Sequence, residues 1–194
     1  MHLCNSPKFI KETAMIYIFL ADGFEEIEAL CPLDIMRRAH LDVTTVGIGG
    51  RREITGAHGI CVLADTADTD LEIHAPDLIM LPGGMPGTKN LEASDTVRRA
   101  IAEALDCGSL IAAICAAPSI LGKMGLLKGR HATCFPGFEQ YLDGAILSDE
   151  AVVRDGNIIT AKGMGVAAEF GLAIVEALLQ KDVALDIARQ IQMI

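Results

Sequence analysis

The sequence is poor in aromatic and basic residues. It contains no tryptophan, its aromatic fraction is 4%, and 16 Lys+Arg face 26 Asp+Glu, which leaves a net charge of −10. A negative surface of this kind repels nucleic-acid phosphates and anionic lipid headgroups. The longest apolar run near the start, residues 14–21, is far shorter than the roughly 20 residues that a membrane helix needs. Neither a nucleic acid nor a membrane is therefore expected as a partner.

Cysteine patterns typical of metal and disulfide sites are also absent. The six cysteines include no CxxC pair, so the sequence signals neither a zinc knuckle nor a disulfide framework. The sequence thus predicts free thiols in a reducing, cytoplasmic setting, with no bound metal. Cys31, Cys61 and Cys134 are interpreted as core residues, with a secondary redox role as the alternative.

The sequence does contain a regular alternation of short apolar runs with longer amphipathic ones. The 194 residues, 51% of them hydrophobic, predict one domain at residues 15–194 after a loose polar extension at residues 1–14. Strands that are apolar throughout are buried on both faces, and their alternation with helices favours an α/β fold with a mostly parallel, doubly wound sheet. Strands are predicted at residues 15–20, 43–46, 78–81, 110–114 and 158–160, and helices at 25–39, 94–105, 116–124, 166–179 and 183–194.

Two segments depart from this alternation and predict hairpins. Residues 51–64 alternate around Thr55-Gly-Ala-His58, and residues 145–160 alternate around Asp155-Gly156. An Asp-Gly pair between two apolar runs is the strongest short hairpin signal in a sequence.

Cys115 lies where a buried strand leads directly into a helix. The strand at 110–114 ends at this cysteine, and Pro118 stands in the first turn of the helix. This is the layout of a nucleophile elbow, and the helix N-terminus is expected to lower the pKa of the thiol. The alternative is that Cys115 is a small core residue, as buried free cysteines usually are.

Two glycines, Gly83 and Gly84, end the predicted strand at 78–81. Backbone N–H groups are accessible at glycines, so this turn can supply one half of an oxyanion hole, and the N–H of Ala116 can supply the other half. A tight turn without a ligand is the alternative.

Acidic residues follow the first predicted strand. Asp22 and Glu25 are a plausible N-cap and capping partner, and Glu25 and Glu26 suit a solvated first turn. Glu28 differs, because its helical neighbours Cys31 and Ile35 place it near the apolar face. A carboxyl group held there is expected to have a raised pKa and to donate a proton at neutral pH.

No histidine has the position of a base for Cys115. The only one after it, His131, is followed by Ala132 and Thr133, which lacks the His-x-Glu pair of glutamine amidotransferases, and no histidine follows the later aspartates as in α/β-hydrolases. The remaining economical partner for Cys115 is Glu28.

Three motifs occur in a fixed order: the Glu28-bearing first helix, the Pro82-Gly83-Gly84 turn, and Ala112-Ala-Ile-Cys-Ala-Ala-Pro118. Together with Pro32-Leu-Asp-Ile-Met-Arg-Arg-Ala39, they resemble the ThiJ/PfpI family, in particular the branch of the parkinsonism-associated deglycase and bacterial YajL. The resemblance implies a flavodoxin-like three-layer sandwich, a homodimer, and glyoxalase or deglycase chemistry on small reactive carbonyls such as methylglyoxal. It also implies a peroxide-sensitive cysteine and, for some members, chaperone behaviour.

Carried over by motif, Cys115 matches the oxidisable nucleophile of the family and Glu28 the carboxylic acid bonded to it. Gly83, Gly84 and Ala116 match the backbone oxyanion donors. Protease-like members have a histidine where this chain has Ala116, which argues against peptidase activity. Some members of the deglycase branch carry a histidine in the loop where this chain has Phe135.

The leading hypothesis is an enzyme in which Cys115 attacks a 2-oxoaldehyde, or its early adduct with a thiol or amine, and Glu28 moves the proton. This chemistry needs no metal or organic cofactor. The alternative is an oxidative-stress sensor or protective chaperone in which Cys115 is oxidised and Glu28 stabilises the oxidised form.

Overall fold

The computed structural model describes residues 14–194. Of the loose extension expected at residues 1–14, all but Ala14 lies outside this range. The helices are α1 Glu26–Arg38, α2 Gly87–Ala93, α3 Asp95–Cys107, α4 Pro118–Lys123, α5 Ala167–Leu178 and α6 Lys181–Gln190. The strands are β1 Ile16–Leu20, β2 Val43–Gly47, β3 Glu53–Thr55, β4 Cys61–Leu63, β5 Thr66–Ala67, β6 Leu78–Leu81, β7 Leu110–Ile114, β8 His131–Ala132, β9 Ile146–Leu147, β10 Val152–Asp155 and β11 Ile158–Ala161.

Seven strands form one central sheet in the order β10-β11-β7-β6-β1-β2-β5. All neighbours in it are parallel except β10 and β11, which are antiparallel. Every residue of β1 and of β6 is buried, because helices cover both faces of the sheet. This arrangement confirms the predicted α/β fold with a mostly parallel sheet and its flavodoxin-like sandwich.

The two faces of the sheet support separate apolar cores. On one face, α1, α5 and α6 pack through residues such as Met36, Phe170 and Ile187. On the other, α3 and α4 pack through Ile101 and Leu121. Successive residues of a strand point to opposite faces, so Ile18 belongs to the first core and Phe19 to the second.

The predicted elements are present with shifted ends, and both predicted hairpins are confirmed. Hairpin β3–β4 pairs Ile54 with Val62, and β10–β11 pairs Asp155 with Ile158. Helix α4 begins only at Pro118, since Ala116 and Ala117 belong to the turn after β7. Helix α2 and the small β8–β9 pair were missed because both are short and lack a clear period.

No helix in residues 14–194 combines the length and the apolar character that crossing a bilayer requires.

Candidate active site

The carboxyl ends of three strands that the sequence analysis identified lie next to one another at the same end of the sheet. Strands β1, β6 and β7 are neighbours and run parallel, so their carboxyl ends lie side by side. After these strands come the loop that leads to α1, the glycine pair Gly83 and Gly84, and Cys115. Parallel pairing of these strands therefore brings together residues that lie nearly one hundred positions apart in the sequence.

Cys115 is the turning point between β7 and α4. Its φ angle is 65°, a left-handed conformation that is uncommon for a residue with a side chain. Hydrogen bonds hold the turn: the Cys115 N–H donates to the Ala161 carbonyl at 2.9 Å, and the Ala117 N–H donates to the Ile114 carbonyl at 3.1 Å. The turn leaves the thiol partly exposed at the site.

Glu28 lies in the first turn of α1 and is almost fully buried, with 1% of its surface exposed. The Gly83 N–H donates to its Oε2 at 3.0 Å, and the Met164 N–H and the Cys115 thiol also bond to the carboxyl group. Burial raises the pKa of Glu28 to about 7, although the bond from Cys115 works against it. The predicted rise of this pKa is thereby confirmed.

Gly83 is required sterically between the acid and the cysteine. A Cβ atom at this position would lie 2.6 Å from the Cys115 Cβ and 2.6 Å from the Glu28 Oε2. The sequence predicts Gly83 as an oxyanion donor. In the structure, however, its N–H donates to Glu28 and is not free for that role. The N–H groups of Gly84 and Ala116 instead bond to the sulfur of Cys115 and remain the candidate oxyanion donors.

The pKa of the Cys115 thiol is raised to about 12, because the group is partly buried and lies against the Glu28 carboxylate. The bonds from Gly84 and Ala116 lower it, but by less. The sequence predicts that the helix N-terminus lowers the pKa of Cys115. This prediction is wrong when Glu28 is ionised, because the thiol pKa is then raised. Cys115 and Glu28 are two acids in contact, and between about pH 7 and pH 12 they hold one proton between them.

The other acidic residues before α1 have structural contacts that differ from those predicted. Glu25, not Asp22, is the N-cap and accepts the Glu28 N–H at 2.7 Å. Asp22 accepts the Thr55 N–H at 3.0 Å and pairs with Arg51. Each carboxylate thus ties the start of α1 or the hairpin β3–β4 in place.

Glu26 is buried, although the sequence suggested a solvated first turn. Its carboxylate accepts hydrogen bonds from the backbone N–H and from the protonated Nδ1 of His58, both at 2.8 Å. Burial favours a higher pKa for Glu26, but the bonds from His58 and Ile60 outweigh it and lower the pKa. Glu26 therefore anchors the tip of the hairpin from a position two residues before Glu28.

Three of the four histidines in the described range have carboxylate partners away from Cys115. His58, His74 and His131 are each hydrogen-bonded to a carboxylate other than Glu28, namely those of Glu26, Glu72 and Asp155. In the described part of the chain, Glu25, Glu26 and His58 are the one set whose ligand atoms lie close enough to hold a metal ion. The expectation of a metal-free site stays a prediction.

Three apolar residues at the rim of the site were missed by the sequence reasoning. Phe135, Met164 and Met85 are 47%, 49% and 42% exposed. The Phe135 N–H donates to the Cys115 carbonyl at 2.9 Å, the Met164 N–H bonds to Glu28, and Met85 follows Gly84. The signal was available for Met164, because it follows β11, whose carboxyl end lies beside that of β7.

The chain belongs to the DJ-1/PfpI family, whose model matches residues 14–177. This confirms the resemblance to the family that also carries the name ThiJ/PfpI.

Individual relatives agree with this assignment. The chain is 33% identical over 170 residues to "Glutathione-independent glyoxalase DJR-1.2" of Caenorhabditis elegans, covering 87% of this chain and 89% of that protein. It is 37% identical over 185 residues to "Protein DJ-1 homolog B" of Arabidopsis thaliana; 94% of this chain is covered, but the match spans only 42% of that longer protein. The structure "Toxoplasma gondii DJ-1, oxidized" superimposes with a TM-score of 0.89 at 32% identity, covering 93% of this chain and 98% of that one.

Proposed function

We propose that this protein is a cofactor-independent glyoxalase that converts 2-oxoaldehydes, or their early adducts with thiols and amines, to 2-hydroxy acids. The observation that carries the proposal is the contact between Cys115 and a buried Glu28 whose pKa is about 7. The relative in Caenorhabditis elegans that bears the name glutathione-independent glyoxalase supports the same reaction.

The first step is addition of the Cys115 thiolate to the aldehyde carbon. The thiol proton passes to Glu28, a C–S bond forms, and the carbonyl electron pair moves onto oxygen, where the N–H groups of Gly84 and Ala116 stabilise it. Glu28 then returns the proton to this oxygen, which gives a hemithioacetal. No histidine is needed, because the carboxyl group changes its protonation state twice in this step.

The second step moves hydrogen from the aldehyde carbon to the neighbouring carbon. The Glu28 carboxylate removes the C–H proton, and an enediol forms across the two oxygen-bearing carbons. Reprotonation at the second carbon leaves a 2-hydroxyacyl thioester on Cys115, which water hydrolyses to the hydroxy acid and free thiol. The sum is 2-oxoaldehyde plus water to 2-hydroxy acid, with no net oxidation.

A pKa near 7 suits Glu28 to both roles. At neutral pH such a carboxyl group is present in both protonation states, so it can donate to the alkoxide and accept from carbon in one turnover. A solvent-exposed glutamate would be almost entirely ionised and would be a poor donor.

The test is lactate formation from methylglyoxal without glutathione, under metal-free conditions. Cys115→Ser is expected to abolish turnover, and Glu28→Gln to reduce it by about 10²-fold or more, because it removes the proton carrier. Cys107→Ser is the matched control, since this thiol ends α3 at the opposite edge of the sheet. Wild-type protein that forms no lactate would refute the glyoxalase proposal.

The second candidate function is peroxide sensing or protective chaperone activity through Cys115. Attack of the thiolate on peroxide gives the sulfenic acid, and a second peroxide gives the sulfinic acid, which a protonated Glu28 can stabilise by a hydrogen bond. The oxidised form of a structural relative favours this candidate. Mass spectrometry of peroxide-treated protein separates the two: a sensor changes the extent of Cys115 oxidation in Glu28→Gln, whereas an enzyme loses turnover.

We also propose that residues 15–194 form a single domain that dimerises in the cytoplasm. Ile27 on α1 and Ile60 and Leu63 on the β3–β4 hairpin are exposed apolar side chains, and Glu26 ties that helix to that hairpin. A second copy of the chain would bury this surface. Cys31, Cys61, Cys115 and Cys134 are free thiols, which supports a reducing compartment.

A further inference from the structure

The rim of the candidate active site is apolar. Met85, Phe135 and Met164 are exposed large side chains, and each is next to a group that the proposed reaction uses. The Phe135 N–H binds the carbonyl of Cys115, the Met164 N–H binds Glu28, and Met85 follows the oxyanion donor Gly84. Exposed apolar groups gathered at the mouth of a polar site indicate a ligand with an apolar part.

The ring of Phe135 lies close to the acid, with a single glycine between them. A Cβ atom on Gly163 would lie 3.2 Å from the Phe135 Cδ2 and 3.6 Å from the Glu28 Oε1. Because Gly163 carries no side chain, nothing at this position separates the ring from the carboxyl group. A substrate whose aldehyde carbon is bound to Cys115 can therefore extend its substituent toward the ring.

The charges near the site disfavour an anionic substituent. The rim residues Met85, Phe135 and Met164 carry no charge, while Glu28 and the N-cap carboxylate of Glu25 lie at the start of α1. A carboxylate on the substrate would be repelled by these glutamates, while the cations Lys89 and Lys123 line a separate cavity that Met85 borders. An aromatic substituent, by contrast, can stack on Phe135 and contact methionine sulfur.

We infer that the preferred substrates are 2-oxoaldehydes with an aromatic or other large apolar substituent, and that Phe135 is the main specificity-determining residue. This inference rests on the proposed glyoxalase function. Phe135 would contact the substituent of the substrate, which does not react. The residue therefore affects which substrate is preferred and not the chemistry at Cys115.

The experiment compares phenylglyoxal with methylglyoxal, followed as mandelate and lactate, in wild-type protein and in variants of Phe135. Wild-type kcat/KM is expected to be about fivefold higher for phenylglyoxal, since an aromatic contact contributes about 1 kcal/mol. Phe135→Ala is expected to remove that preference, because it lowers kcat/KM for phenylglyoxal more than kcat/KM for methylglyoxal. Phe135→Leu keeps an apolar side chain and is expected to retain part of the preference.

Tyr141→Ala is the matched control, because this aromatic ring is similarly exposed but packs against Phe138. Turnover of methylglyoxal with no preference for phenylglyoxal, or with a preference that survives Phe135→Ala, would overturn this inference and leave the glyoxalase function standing. Absence of turnover with both substrates would refute the glyoxalase function and the inference together.

Discussion

At the scale of single residues, the site depends on one proton shared by two acids. Glu28 is buried and Cys115 lies against it, so ionising both groups places two negative charges in contact. The N–H groups of Gly83 and Met164 face the carboxyl group, while those of Gly84 and Ala116 face the sulfur. Backbone donors thus stabilise the single negative charge on whichever atom carries it.

This shared proton predicts the pH dependence of turnover. Below about pH 7 Glu28 becomes fully protonated and can no longer accept the thiol proton, so kcat/KM is expected to fall about tenfold per pH unit. Above about pH 7 kcat/KM is expected to stay level, because with Glu28 ionised the pKa of Cys115 is about 12. A pH profile of lactate formation measures both limbs.

The residual activity of Glu28→Gln provides the control for that profile. It is expected to lack the inflection near pH 7, and its thiol is expected to titrate below the wild-type value, because the neighbouring negative charge is gone. A wild-type profile that is flat across pH 7 would contradict the assignment of Glu28 as the proton carrier.

At the scale of elements, the hairpin β3–β4 is attached to the start of α1 through Glu26. A Cβ atom on Gly56 would lie 2.3 Å from the Glu26 Oε1, so the hairpin backbone passes directly over this carboxylate. Glu26→Ala removes the buried carboxylate that accepts the N–H groups of His58 and Ile60. Because hydrogen bonds to a charged group are lost, the free energy of unfolding is expected to fall by about 1–3 kcal/mol. Urea unfolding of this variant measures the loss, and Glu53→Ala, an exposed glutamate on the same hairpin, is the matched control.

The contribution of the Glu26–His58 pair to stability is limited to a range of pH. The pKa of Glu26 is lowered from 4.5, so its contribution to stability is lost as the pH falls below that value. The pKa of His58 is raised from 6.5 by its bond to Glu26, so the charged pair is lost as the pH rises through that raised value. The stability difference between wild type and Glu26→Ala is therefore expected to be largest between these limits; a difference that does not vary with pH would contradict this account of the pair.

At the scale of the whole molecule, the proposed dimer is testable through its apolar surface. Ile27→Asp places a charge on a side chain that is 49% exposed beside the hairpin. If a second copy covers this surface, the buried charge is expected to shift the protein from dimer to monomer, as measured by analytical ultracentrifugation. Met124→Asp, at the C-cap of α4, is the matched control and is expected to stay dimeric. A monomeric wild-type protein, or a dimer unaffected by Ile27→Asp, would overturn the proposal.

Much of the fold could be predicted from the sequence because parallel strands buried on both faces are continuous apolar runs. The runs at 15–20, 78–81 and 110–114 correspond to β1, β6 and β7, and their carboxyl ends carry the candidate site. Cys115 and Glu28 could be selected for the same local reason, since each has an unusual position relative to an apolar run or helix face. Gly83 and Gly84 could be selected in the same way, because they end an apolar run, and the family motifs agreed with this choice.

Contacts between distant segments could not be predicted in this way. Glu26 has the helical position of a solvated residue, and only the docking of His58, 32 positions later, buries it. Phe135 follows a two-residue strand that gives no periodic signal, yet its N–H binds the Cys115 carbonyl. Gly83 was expected to face a ligand, but its N–H points at Glu28.

The sequence by itself therefore determined the layers, the strand ends that carry the site, and the identity of the cysteine and its acid, because these follow from local patterns of apolar and small residues. Only the tertiary structure decided how the proton is shared. The local helix N-terminus favours a lowered thiol pKa, but burial and the carboxylate of a helix 87 residues earlier in the sequence raise it to about 12. Electrostatic effects depend on distance in space and on exclusion of water, and neither quantity is encoded in the spacing of residues along the chain.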